Sequence, residues 1–180
     1  MDAVIIFFRM PGAVLIVPYD PNWPIMFERL RGCLSAAVGD LAVAIEHVGS
    51  TAVPGLASKP ILDIDIVVRS EPDVGEVIVR LGEFGYNHRG DLGIRGREAF
   101  HSPRDIFHHH LYLVAQDSEP LRNHIRFRDY LRANPRTAED YQRLKQALAE
   151  FFRDDREGYT NGKAEFVQDV LRRASETLSA

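Results

Sequence analysis

Two aspartates, Asp63 and Asp65, interrupt an otherwise aliphatic run from Ile61 to Val68 (ILDIDIVV). In an extended segment, residues two apart point to the same face. Both carboxylates therefore project together, while Leu62, Ile64 and Ile66 face the core. Aspartate is a poor strand former, so two of them in such a run are costly. Two anions so placed raise each other's pKa unless a cation sits between them. A divalent metal is the usual remedy, and hard oxygen donors suit Mg²⁺ or Mn²⁺.

Upstream, Gly49-Ser50-Thr51 stands at the end of a second extended run, residues 42–48 (AVAIEHV). Glycine permits close backbone approach, and exposed N–H groups with two hydroxyls can cradle a phosphate. Basic side chains that could reach such an anion are Lys59, before the aspartate strand, and Arg95 and Arg97 in a glycine-punctuated loop (GDLGIRGR, 90–97) that reads as a mobile flap. Further along, Lys145 joins Tyr159 and Lys163, which are four apart and share a helix face. Each of these basic residues, taken alone, reads more readily as a solvated surface charge. The run His108-His109-His110-Leu111-Tyr112-Leu113 is extended, with His108, His110 and Tyr112 on one face. His110 could complete a ligand set with Asp63 and Asp65, which would favour Mn²⁺, Zn²⁺ or Fe²⁺ over Mg²⁺; alternatively the histidines line a polar cleft without metal. His109, on the apolar face, reads as a hydrogen-bonded core residue. Asp91 and Glu98 are weaker candidates for a third acid, since neither lies on a recognisable strand. Glu46 and His47 are strand neighbours on opposite faces, so they cannot pair. No phosphate loop of the Gly-rich Lys-Ser/Thr kind is present, and no Ser-His-Asp triad can be defended.

The elements that must position these groups follow from periodicity. Apolar residues from Trp23 to Val38 recur with a helical period, after a proline-punctuated turn capped by Asn22. Residues 14–17 read as a first strand, 42–48 and 61–68 as strands, and 72–81 as a helix. Residues 86–107 are loose, and 108–114 form another strand. Three helices follow, over 121–133, from Pro135 to about 153, and over 160–178. The expected fold is α/β (α+β): one unit over 14–180, with a mixed-sheet core at 14–115 flanked by helices and a C-terminal helical segment at 119–178. Residues 1–13 form a leader, and Met10 is a second candidate start. Val4–Phe8 and 14–17 are both far short of the roughly 20 apolar residues a membrane helix needs.

Among the 180 residues, 22 are basic and 26 acidic, a formal charge of −4. That balance disfavours tracking a nucleic-acid backbone. The lone cysteine, Cys33, excludes an intrachain disulfide and a cysteine-based zinc cluster, and makes the cytoplasm the natural compartment.

A strand, a Gly-Ser loop and a strand carrying Asp-x-Asp resemble the layout of the nucleotidyltransferase superfamily. The run from His47 to Asp65 (HVGSTAVPGLASKPILDID) further resembles the signature of the GrpB family, as do Val17–Pro24 (VPYDPNWP), Phe127–Arg132 (FRDYLR) and Phe152–Tyr159 (FRDDREGY). The resemblance spans nearly the whole chain and implies a nucleotidyltransferase fold. It implies a similar domain fused behind dephospho-coenzyme A kinase in some bacteria. It also implies a metal-dependent transfer of a nucleotidyl group from a nucleoside triphosphate, or related phosphorylated small molecule, to an unknown small acceptor. Asp63 and Asp65 would hold the metal, and Gly49 and Ser50 the phosphates. The third acid of full-activity members is replaced here by histidine. That departure admits a non-catalytic module that binds a nucleotide or coenzyme A precursor and acts on a partner protein. Metal-dependent phosphohydrolysis ranks below both.

Overall fold

The computed structural model describes residues 13–104 and 106–178; residues 1–12 of the expected leader, with Val4–Phe8 and Met10, lie outside them. Helix α1 runs Trp23–Val38. It starts where the Asp20 carboxylate accepts the Asn22 backbone N–H at 2.9 Å and Pro24 occupies the first turn, where its missing N–H costs nothing. It stops at Gly39, whose φ is +59°. Strands β1 (Ala42–Val48) and β2 (Leu62–Val68) flank a single 3₁₀ turn, Ser50–Ala52. Helix α2 (Val74–Glu83) leads to two short strands, β3 (Asn87–His88) and β4 (Arg97–His101), and then β5 (His109–Ala115). The chain closes with α3 (Glu119–Ala133), α4 (Pro135–Phe151), α5 (Arg156–Asn161) and α6 (Ala164–Leu178).

The strands form a mixed sheet in the order β1-β2-β5-β4-β3. β2 runs parallel to β5 and antiparallel to β1, and β4 is antiparallel to both β5 and β3. Alternation gives the sheet two chemically different faces. On the back, Leu62, Ile64, Ile66, Val68, Leu111 and Leu113 are at most 1% exposed and pack against α1 and α2 through Leu34, Val38, Val77 and Leu81. Each such side chain contributes about 1.5–3 kcal/mol of burial. The front carries Asp63 and Asp65 with their register partners on β5, His110 and Tyr112. Helix α3 lies over this face, seating Leu121 and Ile125 on Val67 and Val114.

Three expectations need correction. Residues 14–17 make only an isolated bridge, Val17 to Ser58; Pro18 has no N–H to extend a ladder, and the Val14 amide goes to the Arg153 carbonyl. The loose stretch 86–107 contains β3 and β4, whose polar, glycine-punctuated residues hide their alternation. The final helix divides into α5 and α6. Among the described residues, no helix is long and apolar enough to cross a membrane.

Candidate functional site

Asp63 and Asp65 share the front face, as their spacing requires, but not the same access to solvent. The Asp63 side chain is 30% exposed, whereas that of Asp65 is fully buried. Each carboxylate meets its own imidazole. Asp63 Oδ1 is 2.8 Å from His110 Nδ1, across the β2–β5 register. Asp65 Oδ2 is 2.8 Å from Nδ1 of His124, on α3. Burial pushes the Asp63 carboxyl up, but the His110 hydrogen bond and charge, with Lys59 and His124, outweigh it and hold it below its usual range. Burial wins at Asp65, which lies above its usual range despite the His124 bond, with Asp63 adding to the rise. Asp65 Oδ1 is buried with no partner.

The Gly49-Ser50-Thr51 turn abuts Asp63. Gly49 has φ +70°, and a Cβ there would overlap the Asp63 carboxylate. Only glycine allows the turn to sit this close. A hydrogen bond joins the Ser50 side chain to Tyr141 of α4. Thr51 turns the other way, its buried hydroxyl 3.0 Å from His47 Nε2.

Three lysines converge on the same place. Lys145 of α4 is 2% exposed, donates to the Ala57 carbonyl at 2.5 Å and lies 4.8 Å from the Tyr141 ring centre. Lys59 and Lys163 lie on the Tyr159 ring, 5.3 Å and 4.5 Å from its centre. Burial and the Lys163 charge lower Lys145 to about 7, and burial and Lys59 lower Lys163 to about 8. Lys59 is lowered chiefly by burial. The Asp63 charge opposes the shift at all three. Three clustered amines with one nearby carboxylate have the charge to attract a polyanion.

Residues 90–97 do not place Arg97 in a flap. It opens β4, is 8% exposed, and its guanidinium stacks 4.4 Å from the Tyr112 ring centre. Arg97 is thus beside the aspartates but away from the lysines, and its buried Nε has no partner. Arg95 is exposed in the preceding turn. Glu98 is on a strand after all, but pairs with His88 at 2.6 Å, and the Asp91 carboxylate takes the Gly93 amide; both are engaged away from Asp63. His109 is buried between the Tyr86 hydroxyl, 3.0 Å away, and the Phe107 carbonyl, 2.7 Å away.

His124 was not legible as a site residue. Its signal was faint: it shares a helix face with Leu121 and Ile125, where an apolar residue belongs. Tyr141 was hidden in the same way, as an aromatic core residue stacked on Phe166.

Among the described residues, no three histidine, cysteine or acidic side chains are gathered into a ready ligand set. The donor chemistry nevertheless suits a dication: two carboxylates on one strand face, one of them with a buried oxygen lacking any donor. His110 suits it less, since its Nδ1 is already engaged with Asp63.

Residues 13–173 match a family model described as GrpB protein. The glutamate-rich protein GrpB of Alkalihalophilus pseudofirmus is 37% identical over 165 residues, covering 89% of this chain and 95% of that one. A dephospho-CoA kinase of Mycolicibacterium paratuberculosis is 29% identical over 186 residues, covering 89% of this chain but 46% of the kinase. The crystal structure of conserved protein GrpB from Enterococcus faecalis superposes with a TM-score of 0.83 at 29% identity, over 92% of this chain and all of that one. Cid1, described with an RNA terminal uridylyl transferase activity, matches with a TM-score of 0.50 at 16% identity, over 75% of this chain and 43% of its own. That last likeness is one of fold, and it makes the mixed sheet nucleotidyltransferase-like.

Proposed function

The chain belongs to the GrpB family, and from that premise we propose that it is a metal-dependent nucleotidyltransferase, moving a nucleotidyl group from a nucleoside triphosphate to a small acceptor. The observation that carries this reading is the convergence of Lys59, Lys145 and Lys163 beside the Gly49–Ser50 turn, within electrostatic reach of Asp63. A triphosphate relieves the repulsion among these ammoniums. Gly49 lets its backbone approach the phosphates, and Tyr159, between Lys59 and Lys163, fixes the lysines' aim. Asp63 and Asp65 would hold a divalent metal: Mg²⁺ or Mn²⁺ by their oxygens, Zn²⁺ if the His110 imidazole joins. Such an ion, when bound, neutralises charge on the transferring phosphoryl group. His110 meanwhile orients the Asp63 carboxylate. The acidic balance of the chain favours a small acceptor over a nucleic acid. An exposed, unpaired Cys33 suits a reducing cytoplasm.

Calorimetry with ATP, GTP, CTP and UTP, each with Mg²⁺ or Mn²⁺, tests the reading. At least one nucleotide should bind, and Lys163→Gln should weaken it about tenfold or more. No binding by the wild-type chain under any of these conditions ends the proposal.

The full burial of Asp65 beneath His124 favours a second reading, a nucleotide- or coenzyme A precursor-binding module without turnover. Transfer of an α-labelled nucleotidyl group that is lost in Asp63→Asn would reject it.

A further inference from the structure

The turn and first helix around residues 19–28, the outer edge of β1, the loop at 52–54 and helix α3 meet in a recess of about 370 Å³. It opens at the β1 edge of the sheet, between the proline-rich turn before α1 and the outer side of α3. Tyr19, Phe27, His47, Pro54, Arg128 and Arg132 are among its walls. We propose that this recess binds a small organic oxyanion, a carboxylate or phosphate carried on a flat apolar body, with Arg132 as the residue that takes the charge.

The assignment rests on which charges remain uncommitted. Arg128 is 11% exposed and closed on every side: it donates to Glu46 at 2.7 Å, to the His47 carbonyl at 3.0 Å, and to Asp129 at 2.7 Å and 3.3 Å. Glu46 is thereby occupied, and Glu28 pairs with Arg31 at 2.6 Å. Arg132 differs. Its Nε donates to the Ala52 carbonyl at 2.9 Å, which fixes the guanidinium plane. Its nearest carboxylate, Asp129, is 3.6 Å away, outside hydrogen-bond distance, and the side chain is 42% exposed. A guanidinium anchored by one nitrogen presents the remaining two as a fork, the shape that grips a carboxylate or phosphate. Burial and the neighbouring Arg128 both disfavour its charge, so a bound anion is stabilised there. Phe27, Pro54 and Pro24 also line the recess and offer apolar surface for the ligand body. The mix of a few convergent polar groups and apolar lining is that of a small-molecule site. His47 and Ala52 bound both this recess and the turn that carries Ser50, so the two sites share a wall.

The test is a ¹H–¹⁵N NMR titration of the full chain with benzoate and with phenyl phosphate, the better binder identifying the head group. Both should shift the amides of Tyr19, Ala52 and Arg132. Arg132→Gln should weaken binding about tenfold or more. Glu28→Trp, which fills the recess from an exposed helix position and leaves Arg132 intact, should block it, and Lys163→Gln should leave it unchanged. Shifts that vanish in Lys163→Gln instead of Arg132→Gln, or no shifts at about 20 mM of either probe, overturn the proposal. The spectra themselves report whether each variant is folded.

Discussion

His124 Nδ1 stands 2.8 Å from Asp65 Oδ2, joining the third helix to the second strand across 59 residues. Asp65 has no exposed surface, and its other oxygen has no partner. A buried carboxylate is tolerable only when paired, so α3 supplies the group that lets the sheet carry this acid. Removing the imidazole should cost more than its packing. His124→Ala is expected to lower unfolding free energy by roughly 2–4 kcal/mol, read by urea denaturation. In Asp65→Asn the same His124→Ala change should cost far less, because no anion is left stranded. Additive losses in that cycle would show that the two side chains are not coupled.

Gly49 tests how closely the turn must approach Asp63. With φ +70° and ψ −167°, it occupies a region closed to side chains, where a substitution costs on the order of 1–3 kcal/mol. A methyl there also overlaps the carboxylate. Gly49→Ala should therefore destabilise the fold and weaken nucleotide binding together. A variant that keeps wild-type affinity would remove Gly49 from the phosphate cradle.

The elements with strong periodicity were legible. The α1 stripe Phe27, Leu30, Leu34, Ala37 and Val38 and the aliphatic alternation of β2 each point to one face, and both elements lie where that pattern puts them, although Ile25, of the same helical period, is exposed. Position 110 was legible for the same reason: a strand two residues in period fixes His110 and Tyr112 on the face of Asp63 and Asp65. Lys59 is marked by its place before the aspartate strand and Lys163 by its spacing from Tyr159, but the convergence of Lys59, Lys145 and Lys163 comes from helix packing that leaves no local mark. β4 escaped notice since its front-face Arg97 stacks on a tyrosine rather than presenting an apolar residue. Burial of Asp65 was equally unreadable, depending on one histidine of a helix far along the chain.

On the proposed reading, nucleotide binding at the lysine site depends on pH. Burial lowers Lys145 to about 7, with the Lys163 charge adding to the fall, and lowers Lys163 to about 8, with the Lys59 charge adding. Their positive forms would hold the phosphates, so affinity should be highest below pH 7 and fall as pH rises through 8. A bound polyanion raises both pKa values, so binding at pH 8 must take up protons. Calorimetry in two buffers of different ionisation enthalpy should show that uptake, and Lys163→Gln should reduce it. Identical binding enthalpies in both buffers would argue that these ammoniums do not face the phosphates.

His47 gives the fold a separate acid sensitivity. Its ring stacks on Phe27 at 4.8 Å and its Nε2 meets the Thr51 hydroxyl, and burial, reinforced by Arg132 and Arg128 against the pull of Asp63, brings its pKa to about 4. The unfolded chain binds this proton near pH 6.5 and the folded one does not until about 4. Between those values the unfolded state holds more protons, so stability declines as the pH drops. A shift of this size corresponds to roughly 3 kcal/mol once both forms are protonated. Urea midpoints measured from pH 7 to 4.5 should decline in the wild-type chain and decline less in His47→Gln, which retains a polar partner for Thr51. Equal slopes in the two proteins would mean that the imidazole is protonated inside the fold without penalty, and that the Phe27–His47 stack is open to water.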